Sequence, residues 1–203
     1  KMKKTKILAI GDIHGDVSLV RNLAKQAVEE KVDLVIIAGD LTLLEDSTKN
    51  LLGHFTKENK TVLLIPGNHE TLATTNALSE MYSNVRNIHG KHFSNNRVGI
   101  FGAGGADILL QRTSEKEMFE LLRKGHEKIK NLEKKIMVTH MHTTGSKAEI
   151  IGFKGNSGIE KAIHEFKPDI LISAHIHEAA GLQEKIGKTK VMNVSRTPTI
   201  IEI

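Results

Sequence analysis

Short apolar runs alternate with stretches of helical periodicity along most of the chain. Residues 6–10, Lys-Ile-Leu-Ala-Ile ended by Gly11, predict a first strand. A polar turn over 11–16 feeds a helix on which Val17, Val20, Ala24, Ala27 and Val28 recur at helical spacing, with Asp16 or Ser18 as N-cap. Residues 33–38 are almost continuously apolar and stop at Gly39-Asp40, the pattern of a strand buried on both faces. A helix over 47–58 is predicted next, burying Leu51, Leu52 and Phe55. A third apolar run, Val62-Leu63-Leu64-Ile65, then leads into Pro66-Gly67-Asn68-His69-Glu70.

The second half repeats the alternation. Residues 71–82 read as helix and 97–101 as strand, followed by Gly102-Ala103-Gly104-Gly105. Ser114 with Glu117 forms a capping box that opens a long helix, with Met118, Leu121, Leu122, Ile129 and Leu132 on one face. Residues 135–139 return to strand, 141–156 read as loop, and Ser157 with Glu160 is a second capping box for a helix ended by Pro168. Residues 169–174 form the next strand. Short strands over 188–194 and 199–203 have no helix between them, which predicts antiparallel pairing that closes the fold. No repeat or linker interrupts the series, so one domain over 1–203 is expected.

Composition narrows the class. With 39% hydrophobic and 26% charged residues, the chain has the profile of a globular protein. Cysteine is absent, which removes disulfides and thiolate metal sites from consideration. No apolar stretch approaches the ~20 residues that span a bilayer. The basic start, residues 1–6, is followed only by Ile7 to Ile10, too short for a signal-peptide core, so a cytoplasmic location without membrane contact is expected. The net charge of +5 invites anionic partners, but the lysines are scattered and aromatics make up only 3%. A single-strand binder sets aromatic platforms beside a basic groove. Nucleic acid is therefore less favoured than a small anionic substrate, and the sequence leaves the oligomeric state open.

The strand ends carry the chemistry. Five runs are followed at once by metal-binding residue types: Asp12 and His14, Asp40, Asn68, His140, then His175 with His177. In an alternating strand–helix fold, ligands collect outside the carboxyl ends of the strands, so these seven side chains are expected to converge. Singly, each has an ordinary explanation as a turn former, a cap or a hydrogen-bonded core histidine. His175 and His177 are expected to point the same way, as alternate residues of an extended strand do. Seven donors exceed the four of a tetrahedral zinc site. Imidazole, carboxylate and amide without thiolate suit Mn, Fe, Co, Ni or Zn. Two divalent ions sharing one carboxylate sit about 3.5–4 Å apart and clamp the attacking and leaving oxygens of an in-line displacement. The expected chemistry is hydrolysis of a phosphate ester by metal-activated hydroxide. His69, beside Asn68, is the candidate general acid.

These motifs resemble those of the calcineurin-like metallophosphoesterase superfamily: Asp-x-His, Gly-Asp, Gly-Asn-His-Asp/Glu, a strand-end His and Gly-His-x-His. Here they read Asp12-Ile13-His14, Gly39-Asp40, Gly67-Asn68-His69-Glu70, His140 and Ala174-His175-Ile176-His177. The resemblance covers nearly the whole chain and is closest to small prokaryotic phosphoesterases. It implies an α/β fold, an αββα sandwich of two mixed sheets flanked by helices, with a dinuclear site at the strand ends. It implies Asp12, His14 and His177 around one divalent ion, Asn68, His140 and His175 around the other, and Asp40 bridging. Manganese is favoured among the candidate ions. His69 would bind the substrate phosphate and protonate the leaving oxygen.

The chain also departs from the pattern. Ala174 replaces a glycine. Asp40 is followed by Leu41-Thr42-Leu43, without the Asp and Arg of the protein-phosphatase branch, so His69 lacks that branch's carboxylate partner. His140-Met141-His142 stands where many relatives have His-x-Pro; His142 is a candidate substrate contact or else a solvated loop histidine. Arg196, in Asn193-Val194-Ser195-Arg196, is a candidate phosphate contact or else a surface arginine. Gly102 to Gly105 lacks the Lys-Ser/Thr of a phosphate loop and is expected to turn tightly near the site. The leading expectation is a hydrolase acting on a small phosphodiester or phosphomonoester. A nuclease using the same ions and a non-catalytic scaffold on this fold are the alternatives.

Overall fold

A strand whose side chains are apolar on both faces must be covered on both faces, and the apolar runs become the central strands of two sheets. The computed structural model describes residues 4–95 and 97–203; Lys1 to Lys3 of the basic start lie outside that description. In the first sheet β1 (Lys6–Ile10), β2 (Leu34–Ile37), β3 (Thr61–Leu64) and β4 (Val85–Asn87) run parallel, and β11 (Thr199–Glu202) adds antiparallel to β1. In the second, β6 (Val98–Ala103), β7 (Lys134–Thr139), β8 (Ile170–Ser173) and β10 (Thr189–Asn193) run parallel. Its edges are antiparallel, β5 (Lys91–Asn95) on β6 and β9 (Gln183–Ile186) on β10.

Alternation along the strands sorts the core into layers. Ile7, Ala9 and Ile36 from the first sheet cluster with Ile100, Ile136 and Ile172 from the second. The opposite faces, Leu8, Val35 and Val62, pack with Val20, Leu23 and Ala27 of α1 (Val17–Glu29) and with Phe55 of α2 (Gly53–Lys57). Phe101, Met137 and Leu171 pack under α4 (Glu115–Glu127) and α5 (Ser157–Phe166). The architecture is an αββα sandwich of two mixed sheets. A further helix, α3 (Leu72–Glu80), precedes β4.

Several expectations are corrected. The helix predicted over 47–58 shrinks to Gly53–Lys57, because Asn50 adopts a left-handed backbone with φ 62°, although Leu51, Leu52 and Phe55 are buried as predicted. Ile129 and Leu132 lie beyond the end of α4, where turns replace the helix. The cap of α5 is Asn156, whose side chain accepts from the amides of Gly158 and Ile159; Ser157 is already helical. The loop after β7 contains a 3-10 turn over Lys147–Ile151. The two final runs do pair antiparallel as expected, though not with one another: β10 with β9, while also joining β8 in parallel, and β11 with β1 in the other sheet.

The two sheets meet at the carboxyl end of β1. Gly11 donates to the Val194 carbonyl at 3.0 Å and accepts from the Arg196 amide at 3.0 Å, so the segment after β10 zips onto the chain leaving β1. A Cβ built on Gly11 would lie 2.4 Å from the Ala174 Cβ. Ala174, the residue that departs from the motif, thus fills the space that a side chain at Gly11 would need. Gly11→Ala is expected to destabilise the fold by about 1–3 kcal/mol through overpacking, and adding Ala174→Gly to recover much of that loss. A double-mutant cycle in urea reads the coupling; additive losses would contradict the shared volume.

Candidate metal centre

Four of the seven candidate donors leave their strands in turns too sharp for ordinary backbone. Asp12, His14, Asp40 and His175 have φ of 55°, 50°, 52° and 69°, all left-handed. Non-glycine residues held there carry local strain, which collects at functional sites. The turns after β2 and β3 are interlocked. The His69 amide donates to Asp40 Oδ1 at 2.9 Å, and a Cβ on Gly67 would sit 1.9 Å from that same oxygen, so only glycine fits. Glu70, buried, accepts from the amides of Gly67 (2.8 Å), Leu41 (3.3 Å) and Thr42 (3.1 Å) and from the Thr42 hydroxyl (3.1 Å). Of the run expected to turn, Gly102 and Ala103 are still part of β6, and only Gly104-Gly105 turns against this loop, the Gly105 amide donating to the Pro66 carbonyl at 2.9 Å.

Two donor clusters result, with Asp40 at their centre. Asp12, His14 and His177 form one, and Asp40, His140 and His175 the other; His14, Asp40 and His69 link them. His14 Nε2 and His177 Nε2 face each other at 3.3 Å, and Asp12 Oδ1 lies 3.4 Å from His177 Nε2. Asp40 Oδ2 is 3.4 Å from His140 Nε2, 3.8 Å from His14 Nε2 and 3.9 Å from His69 Nε2. His140 Nδ1 donates to the Ala38 carbonyl at 2.8 Å, which turns Nε2 toward Asn68 Oδ1 at 2.9 Å. Fixing one ring nitrogen of a histidine on a backbone carbonyl is how a metal-binding imidazole is oriented.

The electrostatics of the donors suit a cation. Burial raises the Asp40 carboxyl, but the charge and hydrogen bond of His140 outweigh it and hold Asp40 well below the usual carboxylate range. Burial acts likewise on Asp12, where the His177 ring, 3.4 Å away, and the His140 charge win and lower it. Burial pushes the His140 imidazolium down, yet Asp40 drives it up to about 10, so a proton there balances the carboxylate. Burial, then the His140 charge, pushes His175 down to about 4, leaving a neutral lone-pair donor. Asp12 Oδ1 and His14 Nδ1 are buried without a hydrogen-bond partner. Orphaned polar atoms beside paired carboxylates and neutral imidazoles fit a site for divalent ions.

The remaining predicted residues fall in different places. His175 and His177 do not share an extended strand: β8 ends at Ser173 and His177 opens a 3-10 turn over His177–Ala179. The left-handed turn at His175 sends the two rings to different clusters. His142 is not solvated; it is 2% exposed and its Nε2 donates to the Phe153 carbonyl at 3.1 Å. Arg196 donates to the Asp12 carbonyl at 3.3 Å and lies 3.5 Å from Asp16 Oδ2, away from the cleft lining. His69 lines the cleft, a space of about 440 Å³ over the donors, with its Nδ1 buried and unpartnered. The sequence reading missed the jobs of Glu70 and of Asn193, whose side-chain amide donates to the Ala174 and Ile176 carbonyls at 3.3 Å each. Both stood inside recognised motifs, which was the available signal.

An αββα sandwich with such donors at its strand ends defines a class, the metal-dependent hydrolases built on two facing sheets. The model of one family in that class, calcineurin-like phosphoesterase, matches residues 5–179, and the chain belongs to it. No curated protein matches the sequence. Among solved structures, a protein of Thermus thermophilus is similar at TM-score 0.76 and 18% identity, over 94% of this chain and 89% of that one. A dimetal phosphatase from Danio rerio aligns at TM-score 0.61 and 12% identity, over 93% and 86%. An archaeal phosphodiesterase aligns at TM-score 0.57 and 14% identity, over 98% and 99%. At these identities the likeness is one of fold.

Glu70→Ala is expected to cost about 3 kcal/mol in urea unfolding, because it strands three buried amides. It is also expected to weaken any rise in Tm on adding a divalent ion, since Gly67 and the Leu41-Thr42 turn lose their common brace.

Proposed function

We propose that the protein is a dinuclear metal-dependent phosphoesterase that hydrolyses a small phosphodiester or phosphomonoester, with manganese the favoured ion. The observation that carries this reading is the pair of donor clusters joined at one buried carboxylate, Asp40. Asp12, His14 and His177 would hold one ion, Asn68, His140 and His175 the other, and Asp40 would serve both. The chemistry that such ions supply is Lewis acidity, which offsets phosphoryl charge and makes water nucleophilic at neutral pH.

The chain's own groups do the rest. Asp40 is kept ionised by His140, and the His140–Ala38 hydrogen bond keeps the Nε2 of that ring aimed inward. His69 stands at the junction of the clusters, its ring 4.7 Å from that of His14. Its Nε2, 3.9 Å from Asp40 Oδ2, is the atom that would carry a proton to the leaving oxygen. The cleft, about 440 Å³, is of small-molecule size and supports a compact substrate over a nucleic acid. The Danio rerio and archaeal proteins of the same fold, a dimetal phosphatase and a phosphodiesterase, support the reaction class.

With Mn²⁺, 4-nitrophenyl phosphate or bis(4-nitrophenyl) phosphate is expected to turn over, and chelator to abolish it. His69→Ala is expected to lower kcat by about 10²–10⁴ while the Mn²⁺-induced rise in Tm persists. Asp40→Asn is expected to lose both. Failure of the cation-loaded protein to cleave any member of a broad ester panel would sink the reading.

A further inference from the structure

One wall of the cleft has no part in holding ions or moving protons. Ile108 and Leu109, in the loop after β6, are 47% and 45% exposed, and Phe153, in the loop after β7, is 53% exposed. All three line the cleft that contains His14, Asp40, Asn68 and His175, and the buried Met141 and Ile176 complete its apolar surface. Two further exposed apolar side chains, Leu110 and Ile150, belong to the same two loops. Large apolar groups left in water singly are ordinary, but a cluster of them in a concavity marks a binding surface.

The wall is built in place. The Phe153 carbonyl accepts from His142 Nε2 at 3.1 Å, and His142 is itself buried two residues beyond His140. Glu149 braces the same loop, accepting from the Gly155 amide at 2.7 Å and the Gly145 amide at 2.9 Å. On the other side, the Leu110 amide donates to the Asn68 carbonyl at 3.0 Å, which ties the Ile108–Leu109 loop to a candidate ligand. Both apolar loops are therefore anchored directly to segments that carry the donors.

We infer that the substrate is an ester of an apolar, aromatic-type alcohol, whose organic group lies on Ile108, Leu109 and Phe153 while its phosphoryl group meets the donor clusters. This rests on the phosphoesterase reading above. The concavity is of the size that encloses a small molecule, and its polar lining is the donor set together with Asp107, Lys154 and Glu178. A protein partner would need a surface of roughly 1,200 Å² or more, well beyond this cleft.

The test is calorimetric titration of the Mn²⁺-loaded protein with three phosphonates, which cannot be hydrolysed: methyl-, phenyl- and 1-naphthylmethylphosphonate. The aryl compounds are expected to bind about tenfold tighter than the methyl compound, or more. Ile108→Ser and Phe153→Ser are each expected to shrink that ratio several-fold. Should Phe153→Ser lower Tm, Ile108→Ser, in the other loop, carries the test. Equal binding of methyl and aryl phosphonates, with ester turnover intact, overturns this inference and leaves the phosphoesterase standing. Absence of both phosphonate binding and turnover overturns the two together. A dimer in solution that either substitution dissolves would assign the wall to a second copy of the chain and overturn the inference as well.

Discussion

Burying the Asp40 carboxylate is unfavourable unless donors and positive charge close around it, and the fold brings both from separate strands. The His69 amide comes from the turn after β3 and the His140 ring from the end of β7, in the other sheet. Gly67 must lack a side chain for the carboxylate to fit. Glu70, a second buried acid beside the first, spends its oxygens on backbone amides that fix the turn after β2. Burial and the Asp40 charge push its carboxyl upward, so the two acids strain against each other. A divalent cation at this place would relieve what the polypeptide alone can only balance with a proton.

That arrangement costs stability locally. Left-handed backbone at four candidate ligands and orphaned polar atoms at Asp12 and His14 are each unfavourable. The apolar layers between and outside the sheets, from Ile7 and Ile36 to Ile136 and Ile172, supply the burial that tolerates them. The division is spatial: strand bodies carry the stability, and strand ends carry the chemistry.

Much of this was legible in the chain because central strands bury both faces and so appear as continuous apolar runs. The edge strands of the second sheet were not. β5 reads Lys-His-Phe-Ser-Asn and β9 reads Gln-Glu-Lys-Ile, sequences that a half-solvated edge permits and that carry no strand signal. The donors were visible because each follows the stop of a strand. Their partition between the clusters was not to be had from spacing, since it depends on a left-handed turn at His175 that period-two reasoning cannot anticipate. Glu70 escaped for a related reason: its partners are amides, which every residue has. The apolar wall escaped because Ile108 and Phe153 lie in loops without periodicity, where an exposed hydrophobe looks like noise until the cleft is seen.

The donors also have an order in time. The first cluster needs Asp12 and His14 from the start of the chain and His177 from near its end; the second needs Asn68 together with His140 and His175. A ribosome making this protein therefore releases neither site complete until the strand β8 and the turn beyond it have emerged. Capture of an ion by the full donor set would therefore follow the docking of the second sheet on the first rather than precede it.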